Sequence, residues 1–268
     1  MTVSYTFSMK LLFITTDDPF HLPVFFQKVF SARAKDIIGI VIVDPIYKGH
    51  TIFTQALKTV RVFGLSSFLR EVQYYGYYKL LNVVSNFMTL RRFYSVAKVA
   101  KFYSCPTYQT EDVNSCDFIH FTKTLAPDLI ISISPPQIMK EELTSIPTMG
   151  CINLHGSVLP KYRGVLPSFW MLANNEKEAG VTVHYINQGI DDGDIILQHT
   201  FAIEPSDTLH SLIARSKEIG AHLLLQSLNH IATNSVSRTP NIKANGTYFS
   251  FPSKEAYKRF RKNGRRIR

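Results

Sequence analysis

Asn153 and His155 stand two apart at the end of an apolar run, Gly150–Leu154, and Gly156 follows them. On an extended strand that spacing sends both side chains to one face. The glycine lets the chain turn sharply beyond them. Further along, Gly189-Ile-Asp-Asp-Gly193-Asp194 reads as a tight loop between two apolar segments, able to bring an Asp toward the imidazole. An amide donor, an imidazole and a carboxylate together suit acyl transfer to an amine. The amide N–H stabilises an oxyanion, the imidazole handles protons, and the carboxylate orients the ring and raises its pKa. A histidine after a strand is more often a structural hydrogen-bonding residue, so spacing alone does not decide the matter.

The segments that must position these residues alternate in type. Met9–Thr15, Asp36–Val43, Cys105–Tyr108, Leu129–Ser134 and Gly150–Leu154 have the length and composition of strands. Gly180–Ile186 and Asp194–His199 read as two more. Helices are expected over Leu22–Ala34, over Val113–Leu125 with Asp112 or Asn114 as cap, over Gln137–Leu143, and over Ser168–Asn175 with Ser168 as cap. A long helix over 207–232 follows Pro205-Ser206-Asp207. The order predicts an α/β fold: an open, mostly parallel twisted sheet with helices on both faces. Ligands in such sheets sit beyond the carboxyl ends of the strands. A helical insertion of about 46–104 delays the third strand, and a short basic C-terminal tail follows a compositional shift near 233–245.

Composition sets the outer limits. A chain of 268 residues with 45% hydrophobic and 19% charged residues builds a packed core and is not a disordered or fibrous chain. Its apolar runs fall well short of the roughly 18 residues of a membrane span, and its first residues do not read as a secretory signal. Cys105, Cys116 and Cys151 are odd in number and scattered, so neither a disulfide framework nor a metal site is expected. The expectation is a cytoplasmic protein. The net charge of +10 is concentrated. Residues 254–268 carry eight Lys/Arg against Glu255, and residues 46–104 carry nine against Glu71. Such patches attract the phosphates of RNA, anionic lipid or a nucleotide substrate. In 46–104 they are interleaved with aromatics, among them Tyr74, Tyr75, Tyr77, Tyr78 and Phe87, which suits single-stranded RNA or a membrane interface. The plainer expectation is that these rings pack helices onto the body.

The residues around the first pair carry more than spacing. Asn153-Leu-His155-Gly-Ser157-Val-Leu-Pro160-Lys161-Tyr-Arg163-Gly164, then Pro167 and Trp170, then Gly180-Val-Thr182-Val-His184, then Ile190-Asp191-Asp192-Gly193-Asp194, resemble the folate-dependent formyltransferases of glycinamide ribonucleotide, methionyl-tRNA and nucleotide sugars. The resemblance is close over about 125–200, looser over 9–45, and absent from the insertion and the tail. It implies a formyltransferase catalytic domain over 1–232 and a basic extension over 233–268. It implies that a formyl group passes from 10-formyltetrahydrofolate to a primary amine. Asn153, His155 and Asp191 fall on the family's catalytic positions, with Asn153 and a protonated His155 steadying the oxyanion. Asp192 stands where the family usually has a small residue, and Thr182 is expected to be structural. Ser134, Gln137, Ile138 and Met139, with Gln188, Gly189 and Ile190, are implied around the pterin. Ser157, Lys161 and Arg163 lie in the family's active-site loop and are the candidates for acceptor contact. The residues after the last helix are too few for the β-barrel of a methionyl-tRNA enzyme, so an amino sugar, nucleotide- or lipid-linked, is the expected acceptor. Methionyl-tRNA is the alternative, followed by a formyltetrahydrofolate hydrolase or a non-catalytic folate-binding protein. An anionic membrane surface or RNA is the partner the basic segments would take.

Overall fold

The computed structural model describes residues 8–44, 51–88, 90 and 92–268. Strands β1 (Leu11–Thr15) and β4 (Leu129–Ile133) are buried along their whole length, which is why both read as unbroken apolar runs. With β2 (Ile37–Val43), β3 (Thr107–Thr110), β5 (Cys151–His155), β7 (Glu178–Tyr185) and β8 (Ile195–Ala202) they form a seven-stranded sheet of order β3-β2-β1-β4-β5-β7-β8. The pairs from β3 to β5 are parallel. Strand β7 runs antiparallel to both β5 and β8.

Strand parity divides the core. Leu11, Phe13 and Ile131 join Phe26 of α1 (Leu22–Arg33) and Leu224 of α8 (Leu209–Ala232) on one face. Leu12, Ile14 and Ile130 face the other way, toward Phe118 of α5 (Cys116–Leu125) and Leu143 of α6 (Glu141–Thr144). Element ends shift where side chains compete for backbone groups. Helix α5 starts after Ser115, whose hydroxyl accepts from the Phe118 N–H, rather than after Asp112 or Asn114. The helix expected from Gln137 begins only at Glu141. The Gln137 side chain is engaged with Val113 N–H and Glu111 C=O instead. Helix α7 (Pro167–Ala173) follows Leu166, which has a left-handed backbone, so Ser168 lies inside the helix and is not its cap. Thr208, not Asp207, caps α8 through the Ser211 N–H.

The insertion forms α2 (Ile52–Phe63), α3 (Leu65–Val84) and α4 (Val96–Phe102); its residues 46–50, 89 and 91 lie outside the described residues. Asp17, just past β1, caps α4 by accepting from Val96 N–H at 2.7 Å. Phe63 meets Phe169 and Tyr257, and Tyr78 meets Phe20 and Tyr94, so part of the aromatic content does pack on the body. Tyr75, Tyr77 and Phe87 stay exposed.

Residues 239–268 are folded onto the body rather than standing apart as a loose tail. Thr239 exchanges backbone hydrogen bonds with Ile195 of β8. Strand β9 (Tyr248–Phe249) pairs with the short β6 (Arg163–Gly164). Helix α9 (Lys254–Lys262) presses Phe260, fully buried, onto Phe169 with ring centroids 5.1 Å apart. Arg265 is buried and donates to the Glu204 carbonyl, so two of the expected solvated cations, Arg265 and Arg268, are used structurally. If this packing is integral to the fold, Phe260→Ala should lower stability in urea unfolding by about 3–5 kcal/mol. Lys258→Ala on the exposed side should change it by no more than about 0.5 kcal/mol.

Candidate active site

The parity of β5 places the site. Ile152 and Leu154 enter the core shared with α8, whereas Cys151 faces α6. Asn153 and His155 lie on the Cys151 face, beyond the reach of short α6, where the carboxyl end of the strand opens into a cavity of about 630 Å³. That volume is in the range of small-molecule sites. The β5–β7 register sets Asn153 opposite His184 and His155 opposite Thr182. Thr182 donates to the Ser157 carbonyl at 2.7 Å and accepts from Leu159 N–H, so it holds the turn that follows β5.

The carboxylate comes from the loop between β7 and β8. Asp191 has a positive φ of 49°, a conformation that carries strain for a residue other than glycine. Two contacts hold it there. Gly164 N–H donates to Asp191 Oδ2 at 2.9 Å, and Asn241 Nδ2 donates to the Asp191 and Gly193 carbonyls at 3.0 and 3.2 Å. Gly164 itself is fixed by its pairing with β9, where a Cβ would sit 2.2 Å from the Phe249 carbonyl oxygen. The carboxylate then lies 3.5 Å from His155 Nδ1, 3.7 Å from His184 Nε2 and 3.4 Å from Asn153 Nδ2.

Hydrogen-bond logic assigns the tautomers. His155 Nε2 lies 2.8 Å from the Tyr162 carbonyl, so that nitrogen carries a proton and any second proton goes to Nδ1, facing Asp191. His184 Nδ1 likewise meets the Tyr185 carbonyl at 2.7 Å, leaving Nε2 to accept from Asn153 Nδ2 at 3.2 Å. Burial pulls the His155 imidazole below its usual value, and attraction to Asp191 offsets this only in part. Burial thus opposes the protonated form of His155 that the family resemblance implies beside the oxyanion, and Asp191 favours it. Burial alone would raise Asp191, but His155, His184 and the Gly164 N–H together hold it well below the usual carboxylate range.

A second wall faces this group across the cavity. It carries Asp18, Phe20, His21, His210, Ile213 and Lys217. Lys217 donates to Ser134 Oγ at 2.7 Å, and burial brings its ammonium down to about 8. His21 Nε2 lies 3.1 Å from His210 Nδ1, and His210 Nε2 lies 3.1 Å from Glu71 Oε2 on α3. Arg268 donates twice to the same carboxylate, at 2.9 and 3.0 Å.

Comparison with known proteins bears on this arrangement. The formyl transferase family model matches residues 83–228, more than half of the chain and the span that holds the whole Asn153–His155–Asp191 group. The chain belongs to the formyl transferase family. It is 35% identical over 160 residues to methionyl-tRNA formyltransferase of Kosmotoga olearia, covering 60% of this chain and 51% of that protein. It is 34% identical over 172 residues to the bifunctional polymyxin resistance protein ArnA of Wigglesworthia glossinidia brevipalpis, covering 64% of this chain and 25% of the relative. The chain thus spans about half the length, or less, of these relatives. In fold it is similar to an N-formyltransferase from Helicobacter canadensis solved with folinic acid and dTDP-3-aminofucose. That match has a TM-score of 0.58 and 18% identity, over 91% of this chain and 71% of the other.

Within the family frame, the expected residues sort into three groups. Asn153, His155 and Asp191 converge as described. Ser134, Gln137, Ile138, Met139, Gly189 and Ile190 line the cavity, while Gln188 turns away to donate to Glu141. Ser157, Lys161 and Arg163 do not line it. Ser157 is fully buried and its hydroxyl donates to the Lys161 carbonyl. Lys161 is exposed beside a separate, smaller groove. Arg163 is buried, with its backbone in the β6–β9 pair. Their part is to shape the turn, not to meet a ligand in this cavity. Sequence reasoning missed Asn241 and the second wall. Asn241 sits in a Thr-Pro-Asn stretch that reads as a linker, and His21, His210 and Lys217 read as ordinary polar positions of two helices.

The imidazole of His155 should titrate below 6.5, its ordinary value, when followed by NMR of the free protein. Asp191→Asn should move that titration to still lower pH, because it removes an attraction that favours the imidazolium. A His155 titration at or above the ordinary value, or an upward shift in the variant, contradicts the assigned geometry.

Proposed function

We propose that this chain transfers the formyl group of 10-formyltetrahydrofolate to a primary amine, and that the acceptor is an amino sugar, nucleotide- or lipid-linked. The observation that carries the reading is the meeting of an amide, an imidazole and a carboxylate at the floor of one cavity. The donor fits the residues present. Pro135, Pro136, Ile138, Met139 and Ile190 offer an apolar strip for a flat ring, and the buried Asn153 Oδ1 lacks a hydrogen-bond partner in the protein. When bound, the folate supplies the formyl carbon and the nitrogen that leaves it.

The chain's own residues do the rest. The Asn153 amide donates one hydrogen to His184, which fixes its plane. Its second hydrogen has only the long 3.4 Å contact with Asp191, and a substrate oxygen gathering negative charge competes well for it. Neutral His155 takes the proton of the attacking amine at Nδ1, the one nitrogen not committed to a carbonyl. Asp191 stabilises the imidazolium that results, which gives the same proton to the folate nitrogen as its bond to the formyl carbon breaks, returning His155 to its starting form. On the other wall, Lys217 with Asp18 and the His21–His210 pair offers the mixed donors and acceptors that sugar hydroxyls require. The likeness to the methionyl-tRNA formyltransferase of Kosmotoga olearia supports a second acceptor, methionyl-tRNA. For that substrate, Lys254, Lys258, Arg261 and Arg266, all exposed, would meet backbone phosphates.

The test is tetrahydrofolate release from 10-formyltetrahydrofolate, measured without acceptor, with a panel of nucleotide-linked amino sugars, and with methionyl-tRNA. Release that depends on an amino sugar is expected. Release only with methionyl-tRNA selects the second reading, and release without any amine indicates a hydrolase. His155→Ala should reduce the acceptor-dependent rate by about 10²–10⁴-fold with little change in thermal stability. Near-normal turnover in that variant refutes the proposed role.

A further inference from the structure

Helix α3 has two faces of different character. Its inner face meets the body: Ser67 reaches Tyr257, Glu71 holds His210 and Arg268, and Tyr78 packs on Phe20. Its outer face presents Leu65, Leu69, Val72, Leu80 and Val83, exposed at 50–60%, and the exposed Phe87 lies in the turn just past the helix. No described element lies over them. Buried apolar side chains are the rule on a packed helix, so a continuous exposed row marks a surface meant to be covered.

The spacing of the row identifies what covers it. With Gly76 included, the positions on the helix step by four, three, four, four and three residues. Leu65 and Gly76, Leu69 and Leu80, and Val72 and Val83 are therefore eleven apart, a repeat close to the helical period. From Leu69 to Val83 the row is also symmetric about Gly76. In an antiparallel pair of α3 helices with a two-fold axis at Gly76, Leu69 meets the second copy at its position 83 and Val72 at position 80. Charges agree with this register. Arg70 falls opposite Asn82 and Lys79 opposite Gln73, so no like charges face each other across a strongly basic segment.

Gly76 supplies an independent observation. A Cβ added there meets nothing within 4 Å, so the fold of one chain gives no reason for glycine in the middle of a 20-residue helix, where it is unfavourable. Close approach of a second backbone at the two-fold axis gives one. A membrane surface fits less well. Ser66, Arg70 and Gln73 border the row, the exposed Tyr75 and Tyr77 flank it, and a glycine at its centre adds no apolar area for lipid to cover.

We propose that the outer face of α3 is a self-association surface on which two copies of this chain pair antiparallel about Gly76. The pairing would brace the helix that carries Glu71 to the mouth of the cavity. The test reads mass and not catalysis, so it stands or falls separately from the formyl-transfer reading. Sedimentation velocity of the full chain, across a hundredfold range of concentration, should show a dimer. Leu69→Glu combined with Leu80→Glu should halve the mass while leaving the circular dichroism spectrum and melting temperature of a folded chain. Gly76→Leu, which fills the crossing point, should also weaken the dimer.

Register is read by oxidative cross-linking in a Cys116→Ser background. Gly76→Cys chains should cross-link with themselves. A mixture of Leu69→Cys and Val83→Cys chains should cross-link, and neither alone should. A parent chain that stays monomeric throughout overturns the proposal, as does a dimer that survives the double Glu substitution. A monomer that binds phosphatidylglycerol vesicles through the same residues puts a membrane in place of the second copy.

Discussion

Everything at the site turns on one carboxylate held where it would not stay unaided. Asp191 is largely buried, has a left-handed backbone, and sits between two imidazoles and an amide. A buried carboxylate is unfavourable unless hydrogen bonds and charges compensate it. Here the compensation comes from the Gly164 N–H and from the Asn153 amide hydrogen on β5, while Asn241 anchors the loop backbone. Each depends on a different part of the chain. Gly164 is placed by its pairing with β9, Asn241 follows α8, and His184 is set by the antiparallel register of β7.

This dependence explains why the residues after the last helix cannot be treated as an appendage. Stacking of Trp170 on Phe249 and of Phe169 on Phe260 ties α7, β9 and α9 into one aromatic block. That block fixes the Gly164 backbone, and through it the carboxylate. Loss of packing at Phe260 therefore reaches the catalytic group through two hydrogen-bonded steps, without any contact between that ring and the cavity. The positive charge of this region is divided accordingly. Arg265 and Arg268 serve the fold, and the exposed lysines and arginines of α9 remain for solvent or phosphate.

The sheet was legible in the sequence because its central strands are apolar on both faces and its helices alternate with them. Strand ends and caps were less so, since Ser115 and Thr208 compete with nearby Asp and Asn residues that read equally well as caps. Two-residue spacing put Asn153 and His155 on one strand face, but their proposed chemical role and the choice of Asp191 over its neighbours rested on family likeness. Structure gives the physical reason for that choice. Asp192 turns back under Gly189, where a Cβ would collide with its carboxylate, so only Asp191 reaches the imidazoles. Ser157, Lys161 and Arg163 belong to a loop similar to the family's active-site loop, yet here the turn itself consumes the hydroxyl and buries the guanidinium, so none of the three lines the cavity. Such local side-chain-to-backbone bonds leave no periodic trace in a sequence.

The wall opposite the catalytic group was invisible for a different reason: it is assembled from four distant places. His21 begins α1, His210 begins α8, Glu71 belongs to the insertion, and Arg268 follows α9. Glu71 accepts from both His210 and Arg268. Burial alone would raise its carboxyl, but these partners bring it down to about 2, so it stays ionised at any working pH. An ionised Glu71 fixes which nitrogen of His210 carries a proton, and His210 in turn sets the His21 ring at the cavity edge. Glu71 and Arg268, both outside the family-matched span of residues 83–228, thus meet at one ion pair beside the cavity. Glu71, His210 and Arg268 set the chemistry of this wall of the cavity from three elements far apart in the chain.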